Sequence, residues 1–351
     1  YDWSGYCSID GYTFVPDDNF EQALIDLGYD DVIDNYVVTD NISGVTSLDV
    51  GEKEISDLTG IEGFTTLTTL HCNTNQLTAL DVSANTALTY LNCRSNQLTS
   101  LDVSANTGLT YLHTGTNQLT SLDVSQNTEL TTLYVGFNLL TSLDVSQNTA
   151  LTLLKCPDNQ LMSMDVSTNT ALETLDLWSN ELTYLNMRNG VTNSLTLFKA
   201  IGNDLTCIET LDPDYATANW TNANDNIDEG VTFSVICGAE EQDVWHVTTT
   251  GSDGGAGTQE SPFATIQTGI NAASNGNTVH VAAGTYVEHI SYSGKSISII
   301  GEDRETTIVD ADTSGRAFYF DGESQHTIAF SGFTITNGES GHGAGIYIKN
   351  S

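Results

Sequence analysis

The chain is predicted to be a mainly β solenoid in two parts, and three observations predict it. The phrase Leu-Asp-Val-Ser-x-Asn-Thr begins at Leu80, Leu101, Leu122 and Leu143 and, as Met-Asp-Val-Ser, at Met164, each copy 21 residues after the last. Between the copies runs Leu-Thr-x-Leu-x-[Cys/Thr/Val]-x-x-Asn-x-Leu, as in Leu88 to Leu98, which is the spacing of a leucine-rich repeat. From Val244 onward short apolar runs alternate with Gly-, Asp- and Ser-bearing turns. A unit this short cannot bury its own apolar face, so successive units must stack into a coil.

Residues 1–44 form an N-terminal cap. Pro16 to Gly28 reads as a short amphipathic helix, with Asp near its start, Phe20, Leu24 and Leu27 at helical spacing, and a closing glycine. Its expected role is to cover the open apolar end of the first turn.

Residues 45–208 are the repeat solenoid, with units starting at Val45, Leu67, Leu88, Leu109, Leu130, Leu151, Leu172 and, incompletely, Leu195. The column Asn75, Asn96, Asn117, Asn138, Asn159, Asn180, Asn203 is expected to bond backbone groups where the chain bends and no sheet reaches. Cys72, Cys93 and Cys156 share one inward position with Val50, Thr114, Val135 and Leu177, so they are expected as packed thiols. A zinc site would need four ligands converging on one point, and Cys156 lies three turns from Cys93.

Residues 209–243, rich in Asn, Asp and Thr, are expected to be the opposite cap and a linker. Cys207 and Cys237 bracket the end of the solenoid, and a disulfide between them would fasten this cap. Cys7 has no evident partner.

Residues 244–351 read as a capping helix over Pro262–Ala273 followed by strands at Val279–Val281, Ile297–Ile300, Thr307–Val309, Ala317–Phe320, Ile328–Phe330 and Ile346–Ile348. Ser351 directly follows an apolar strand with no cap, so the native polypeptide is expected to continue and this coil to be incomplete.

The residues carry two resemblances. The cap Asp17-Asp18-Asn19-Phe20-Glu21-Gln22-Ala23-Leu24 and the repeats, over about residues 12–237, resemble the short-repeat, internalin-like leucine-rich domains of bacterial surface proteins. Gly251-Ser252-Asp253, Gly257-Thr258, Ser261 to Gln267, Gly276 to Val279 and Gly284 to Glu288 resemble the opening of right-handed parallel β-helix domains of the pectin-lyase type. The resemblance implies a leucine-rich solenoid followed by the start of a right-handed parallel β-helix.

With 46 acidic against 9 basic residues, the net charge of −37 argues against nucleic acid or anionic membrane as a partner. No run of 18 apolar residues exists, so membrane insertion is not expected. The chain is taken as a mature one after signal-peptide removal, extracellular or at the cell surface.

Catalysis is weighed because many β-helix families cleave polysaccharides. Hydrolysis needs two carboxylates about 5 to 9.5 Å apart, for which Asp310, Asp312 and Asp321 are candidates, and a lyase needs a basic residue, for which Arg304 or Arg316 is available. Nucleophile, base and stabiliser do not come together in any constellation. No catalytic residue is therefore assigned, and the Asp residues are read as turn formers.

Binding is the stronger reading. Across the units the Leu-Asp-Val-Ser segment hardly changes, whereas outward positions of the other strand vary. One row runs Ser47, Thr69, Tyr90, Tyr111, Thr132, Leu153, Thr174, a second Asp49, His71, Asn92, His113, Tyr134, Lys155, Asp176, Lys199, and a third Gly51, Asn73, Arg94, Gly115, Gly136, Pro157, Trp178, with Phe137 beside it. Aromatic groups with interspersed donors suit sugar rings or an extended peptide, while exposed Tyr and Thr are also ordinary on sheets. Tyr90, Arg94, Tyr111, His113, Tyr134, Phe137, Lys155 and Trp178 are the candidate ligand-binding residues. On the invariant face Asp81, Asp102, Asp123, Asp144 and Asp165 stack, their repulsion offset either by hydrogen bonds from turn N–H groups or by calcium between rungs. No other cofactor is expected. The in-register Thr86, Thr107, Thr128, Thr149 and Thr170 could suggest ice binding, but each follows Asn and reads as closing a turn.

These readings converge on an extracellular surface protein that binds a glycan or protein ligand through the variable face of its repeats. The alternatives are a non-catalytic part of a secreted polysaccharide lyase or hydrolase, and a structural solenoid of a cell-surface assembly.

Overall fold

A computed structural model of the chain describes residues 10–237, 243–293, 295–313, 315–322, 328–339 and 345–350. Cys7 lies outside the described residues. The chain divides into two compact units, one made of Tyr1–Thr206 with Ala218–Val231, the other of Cys207–Thr217 with Thr232–Ser351.

The first unit is the leucine-rich solenoid. Three-residue strands at Ser47–Asp49, Thr69–His71, Tyr90–Asn92, Tyr111–His113, Thr132–Tyr134, Leu153–Lys155, Thr174–Asp176 and Leu197–Lys199 form one eight-stranded parallel sheet. Each strand contributes one central side chain to the core, Leu48, Leu70, Leu91, Leu112, Leu133, Leu154, Leu175 and Phe198, all buried. The alternation of side chains along a strand then turns the residues on either side outward. On the opposite side pairing is sparse over the first turns, with a bridge from Asp81 to Asp102, and strands form later, where Ser163–Asp165 and Tyr184–Met187 pair as part of a four-stranded sheet.

Two asparagine columns replace the missing sheet. In the expected one, Asn96 donates to the carbonyls of Cys72 and Cys93 at 3.0 Å each and accepts the Leu77 N–H at 3.0 Å, and the pattern repeats on later turns. A second column, Asn85, Asn106, Asn127, Asn148 and Asn169, is fully buried. Asn127 donates to the carbonyls of Val103 at 3.0 Å and Asn106 at 2.9 Å, both on the preceding turn, and so stitches each turn to the one before it. The Oδ1 atoms of this column have no hydrogen-bond partner.

Both ends of the solenoid are covered. The helix Asp18–Asp26 starts at Asp17, whose Oδ1 accepts from Asn19 and Phe20 at 3.0 Å while Oδ2 accepts the Ser56 and Asp57 N–H groups at 2.9 and 3.0 Å. One carboxylate thus caps the helix and ties it to the first turn. At the far end Trp220 packs on Phe198 with ring centroids 4.2 Å apart, and the Asp228 carboxylate accepts from Gly202 and Asn203.

The second unit is a parallel β-helix of three sheets. One contains Val244–Val247, Thr278–Val281, Ser298–Gly301 and Ala329–Ser331, the second Gly284–Val287, Thr307–Asp310 and Thr334–Thr336, and the third Ile290–Ser293, Phe318–Gly322 and Ile346–Asn350. The strands expected from the sequence are present, shifted by one or two residues. Val244–Val247, Gly284–Val287, Ile290–Ser293 and Thr334–Thr336 come in addition. The capping helix is shorter than expected, Ile266–Ala272, because Thr265 caps it and the Glu288 carboxylate accepts the Ile266 and Gln267 N–H groups. Trp245, Phe263, Phe318 and Phe320 fill the core. In this unit Cys207 and Cys237 form a disulfide with Cα atoms 5.8 Å apart.

Candidate ligand-binding face

The outward rows of the eight-stranded sheet are continuous because the pairing is in register from turn to turn. Tyr90 lies beside Tyr111, His71 beside Asn92, and His113 beside Tyr134, which in turn neighbours Lys155. Strands about 4.8 Å apart bring planar side chains at equivalent positions to stacking distance. The Tyr90 and Tyr111 rings stack at 4.1 Å with an interplanar angle of 6°. His71 leans on Tyr90 at 4.8 Å, His113 on Tyr134 at 4.8 Å, and Tyr111 approaches Tyr134 at 5.9 Å. Five rings on four adjacent strands therefore form one ladder, in which each favourable pair adds about 0.5–1.5 kcal/mol beyond area burial.

Two of the ladder's rings, Tyr111 and His113, are held uncharged. Burial, with a smaller contribution from Arg94, pulls the His113 imidazole down to about 4, so it is uncharged at pH 7. Burial, and then the Tyr90 hydroxyl, pushes the Tyr111 phenol well above its ordinary value. Because Tyr90 and Tyr111 cover each other's faces, what they turn outward is ring edge and hydroxyl. Arg94 supplies a positive charge at one side, and Lys155 another at the Tyr134 end.

The structure thus brings Tyr90, Tyr111, His113 and Tyr134 into one ladder with Arg94 and Lys155 on its flanks. Phe137 and Trp178 sit apart from it, on turns that follow the strands, and both are exposed. His71 opens the ladder although it was not among the candidate residues. Its place in the same variable row as His113 was the available signal.

On the other side of the coil, the carboxylates of Asp81, Asp102, Asp123, Asp144 and Asp165 each accept the N–H of the serine two residues on, at 2.8–2.9 Å. The Ser83 and Ser104 hydroxyls, then their N–H groups, hold Asp81 and Asp102 below the usual carboxylate range. For Asp123 and Asp144 the N–H groups of Ser125 and Ser146 lead. Among the described residues no group of three or more His, Cys, Asp or Glu side chains is placed to hold a metal ion.

In the β-helix, Asp310 accepts from the Asp312 N–H at 2.9 Å and from the Asn337 amide at 2.9 and 3.0 Å, a turn-forming arrangement. The Arg316 guanidinium lies 4.1 Å over the Tyr347 ring, and Arg304 is exposed. The Asp321 side chain lies outside the described residues.

Comparison with known proteins agrees with this architecture. A family of proteins of unknown function, DUF1565, matches residues 249–327. Internalin J of Listeria monocytogenes is 45% identical over 73 residues, covering 21% of this chain. The Bacillus subtilis protein YwoF is 31% identical over 122 residues, 31% of this chain. The chain spans 26% of YwoF and 8% of internalin J. Among solved structures, internalin C2 of Listeria monocytogenes superposes with a TM-score of 0.50 at 21% identity, over 65% of this chain and all of that one. The functional domain of InlJ from the same species gives 0.46 at 24% identity, over 93% of this chain and 72% of that one. The chain carries an internalin-like leucine-rich solenoid followed by a β-helix.

Proposed function

We propose that this chain is the recognition region of a surface protein, binding a glycan or protein ligand through the outer face of its eight-stranded sheet. The observation that carries the reading is the ladder itself. It occupies positions that vary from turn to turn, while the Leu-Asp-Val-Ser side of the same turns is nearly constant. Folding therefore does not demand these rings. Tyr90, Tyr111, His113 and Tyr134 offer hydroxyl and imidazole groups on an aromatic base, and Arg94 and Lys155 add cationic donors in a chain that has few. Phe137 and Trp178 lie on turns outside the ladder and are left out of this face.

Action outside the cytoplasm is part of the same reading, supported by the Cys207–Cys237 disulfide, since such bonds persist in oxidising compartments. Among the described residues no helix is long and apolar enough to cross a membrane. The test is a glycan and protein array with the intact chain, followed by affinity measurement on the Tyr111→Ala/Tyr134→Ala variant. Binding should weaken by about tenfold or more, as expected when central aromatic anchors are removed. Unchanged affinity in a variant with native melting behaviour would sink the reading.

A further inference from the structure

The solenoid exposes large apolar side chains in one place. Between Val45 and Ile208 the exposed ones are Phe137, Leu139, Met162, Trp178 and Tyr184, all on three consecutive turns. The other turns show what folding asks for at the same positions. Where Phe137 stands, other turns carry Thr74, Ser95, Thr116, Asp158 and Ser179, and where Leu139 stands they carry Gln76, Gln97, Gln118, Gln160 and Glu181. Met162 replaces a threonine such as Thr99 or Thr120, and Tyr184 a serine such as Ser121 or Ser142.

Phe137 is the sharpest departure. This position has a left-handed backbone on every turn, φ 59° at Phe137, which costs a non-glycine residue about 1–2 kcal/mol and is easiest for short polar side chains. Phe137 is 52% exposed and Met162 56%, so neither adds to the core. A strained, exposed apolar residue marks a surface kept for contact rather than folding.

We propose that this edge of the solenoid is a second docking surface, distinct from the ring ladder, for a cationic protein segment that presents apolar side chains. Charge selects the occupant. Residues 130–184 carry six carboxylates, Asp144, Asp158, Asp165, Glu173, Asp176 and Glu181, against one cation, Lys155. A second copy of the chain would bring −37 against −37, and an anionic lipid surface would be repelled in the same way. A glycan finds little to bond on Leu139 and Met162. Lysine or arginine side chains flanking apolar anchors match both the patch and its rim.

The test uses the intact chain and a variant that gives the patch the residues of its sister turns, Phe137→Thr, Leu139→Gln, Met162→Thr, Trp178→Asn and Tyr184→Ser. This variant keeps the charge unchanged, and its melting temperature should stay close to that of the parent because each replacement is a residue that a sister turn already carries at that position. The probe is a short amphipathic Lys/Leu peptide measured by titration calorimetry, with its Glu/Leu counterpart and phosphatidylglycerol vesicles as comparisons. The Lys/Leu peptide should bind the parent and lose about tenfold or more in affinity on the variant, while Tyr111→Ala/Tyr134→Ala leaves it unchanged. Equal Lys/Leu affinity for parent and variant would overturn the proposal. So would preference for the Glu/Leu peptide or the vesicles, self-association of the parent that the variant abolishes, or loss of peptide binding on the ladder variant alone.

Discussion

Single side chains reveal where the repeat tolerates exceptions. Thr114 occupies the inward position that other turns fill with Cys72, Cys93, Val135 or Cys156, and its buried hydroxyl has no partner. Replacing Thr114 with Val removes that unsatisfied group at nearly equal volume, and should raise the urea unfolding free energy by about 1 kcal/mol. His113 makes a prediction of the opposite kind. Its folded value of about 4 lies below the unfolded value near 6.5, so the unfolded chain takes up the proton first as pH falls. The stability His113 contributes as a neutral ring is complete above about pH 6.5 and is lost on the way down to about 4. Urea midpoints measured across that window should decline less steeply for His113→Asn.

At the scale of the element, adjacent turns are held by backbone pairing along the sheet and by asparagine amides where the sheet ends. Asn127 bonds two carbonyls of the preceding turn from a fully buried position. Asn127→Ala removes both bonds and leaves each carbonyl with one backbone donor, the Asn106 N–H on Val103 and the Leu109 N–H on Asn106, so at about 0.5–1.5 kcal/mol per bond lost it should cost about 1–3 kcal/mol. Asp123→Ala, which frees only an exposed turn N–H, should cost clearly less in the same urea titration. The Cys207–Cys237 bond closes a sequence separation of 30, for which the chain-entropy model gives about 3–4 kcal/mol. Digestion without reductant should release these two cysteines in one linked peptide, and reductant should lower the thermal midpoint. Recovery of both alkylated without reductant would show the segment is held by packing.

Across the whole molecule, charge governs how stability responds to the solvent. A net −37 spread over 351 residues opposes compaction at low ionic strength, and salt shortens the range of that repulsion to about 8–10 Å near physiological strength. The thermal midpoint should rise steadily from low salt to seawater-like sodium chloride. Chelator at constant ionic strength separates the two accounts of the Asp81 to Asp165 column. An unchanged midpoint leaves the carboxylates held by their serine N–H groups, and a lower one brings calcium in.

The 21-residue period by itself determined the stacking, because a short unit has no other way to bury Leu91 or Leu112, and it placed Tyr90, Tyr111, His113 and Tyr134 on one outward face. The helix at Asp18–Asp26 was legible for a similar reason, since its cap and apolar spacing are local. Strands such as Gly284–Val287 and Thr334–Thr336 were not, because their alternation is weak and only neighbouring coils supply their partners. The roles of the two asparagine columns also differed in legibility. Asn96 stands at a bend where an amide bridge is expected, whereas the depth of Asn106 and Asn127 depends on carbonyls 21 and 24 residues earlier being carried beneath them by the winding of the coil. Winding likewise decided the surfaces. It stacked Tyr90 on Tyr111 face to face, leaving edges and hydroxyls for a ligand, and it lined Phe137, Leu139, Met162, Trp178 and Tyr184 along three adjacent turns. Distance along the chain says nothing of such neighbours, which touch only once turns are stacked about 4.8 Å apart.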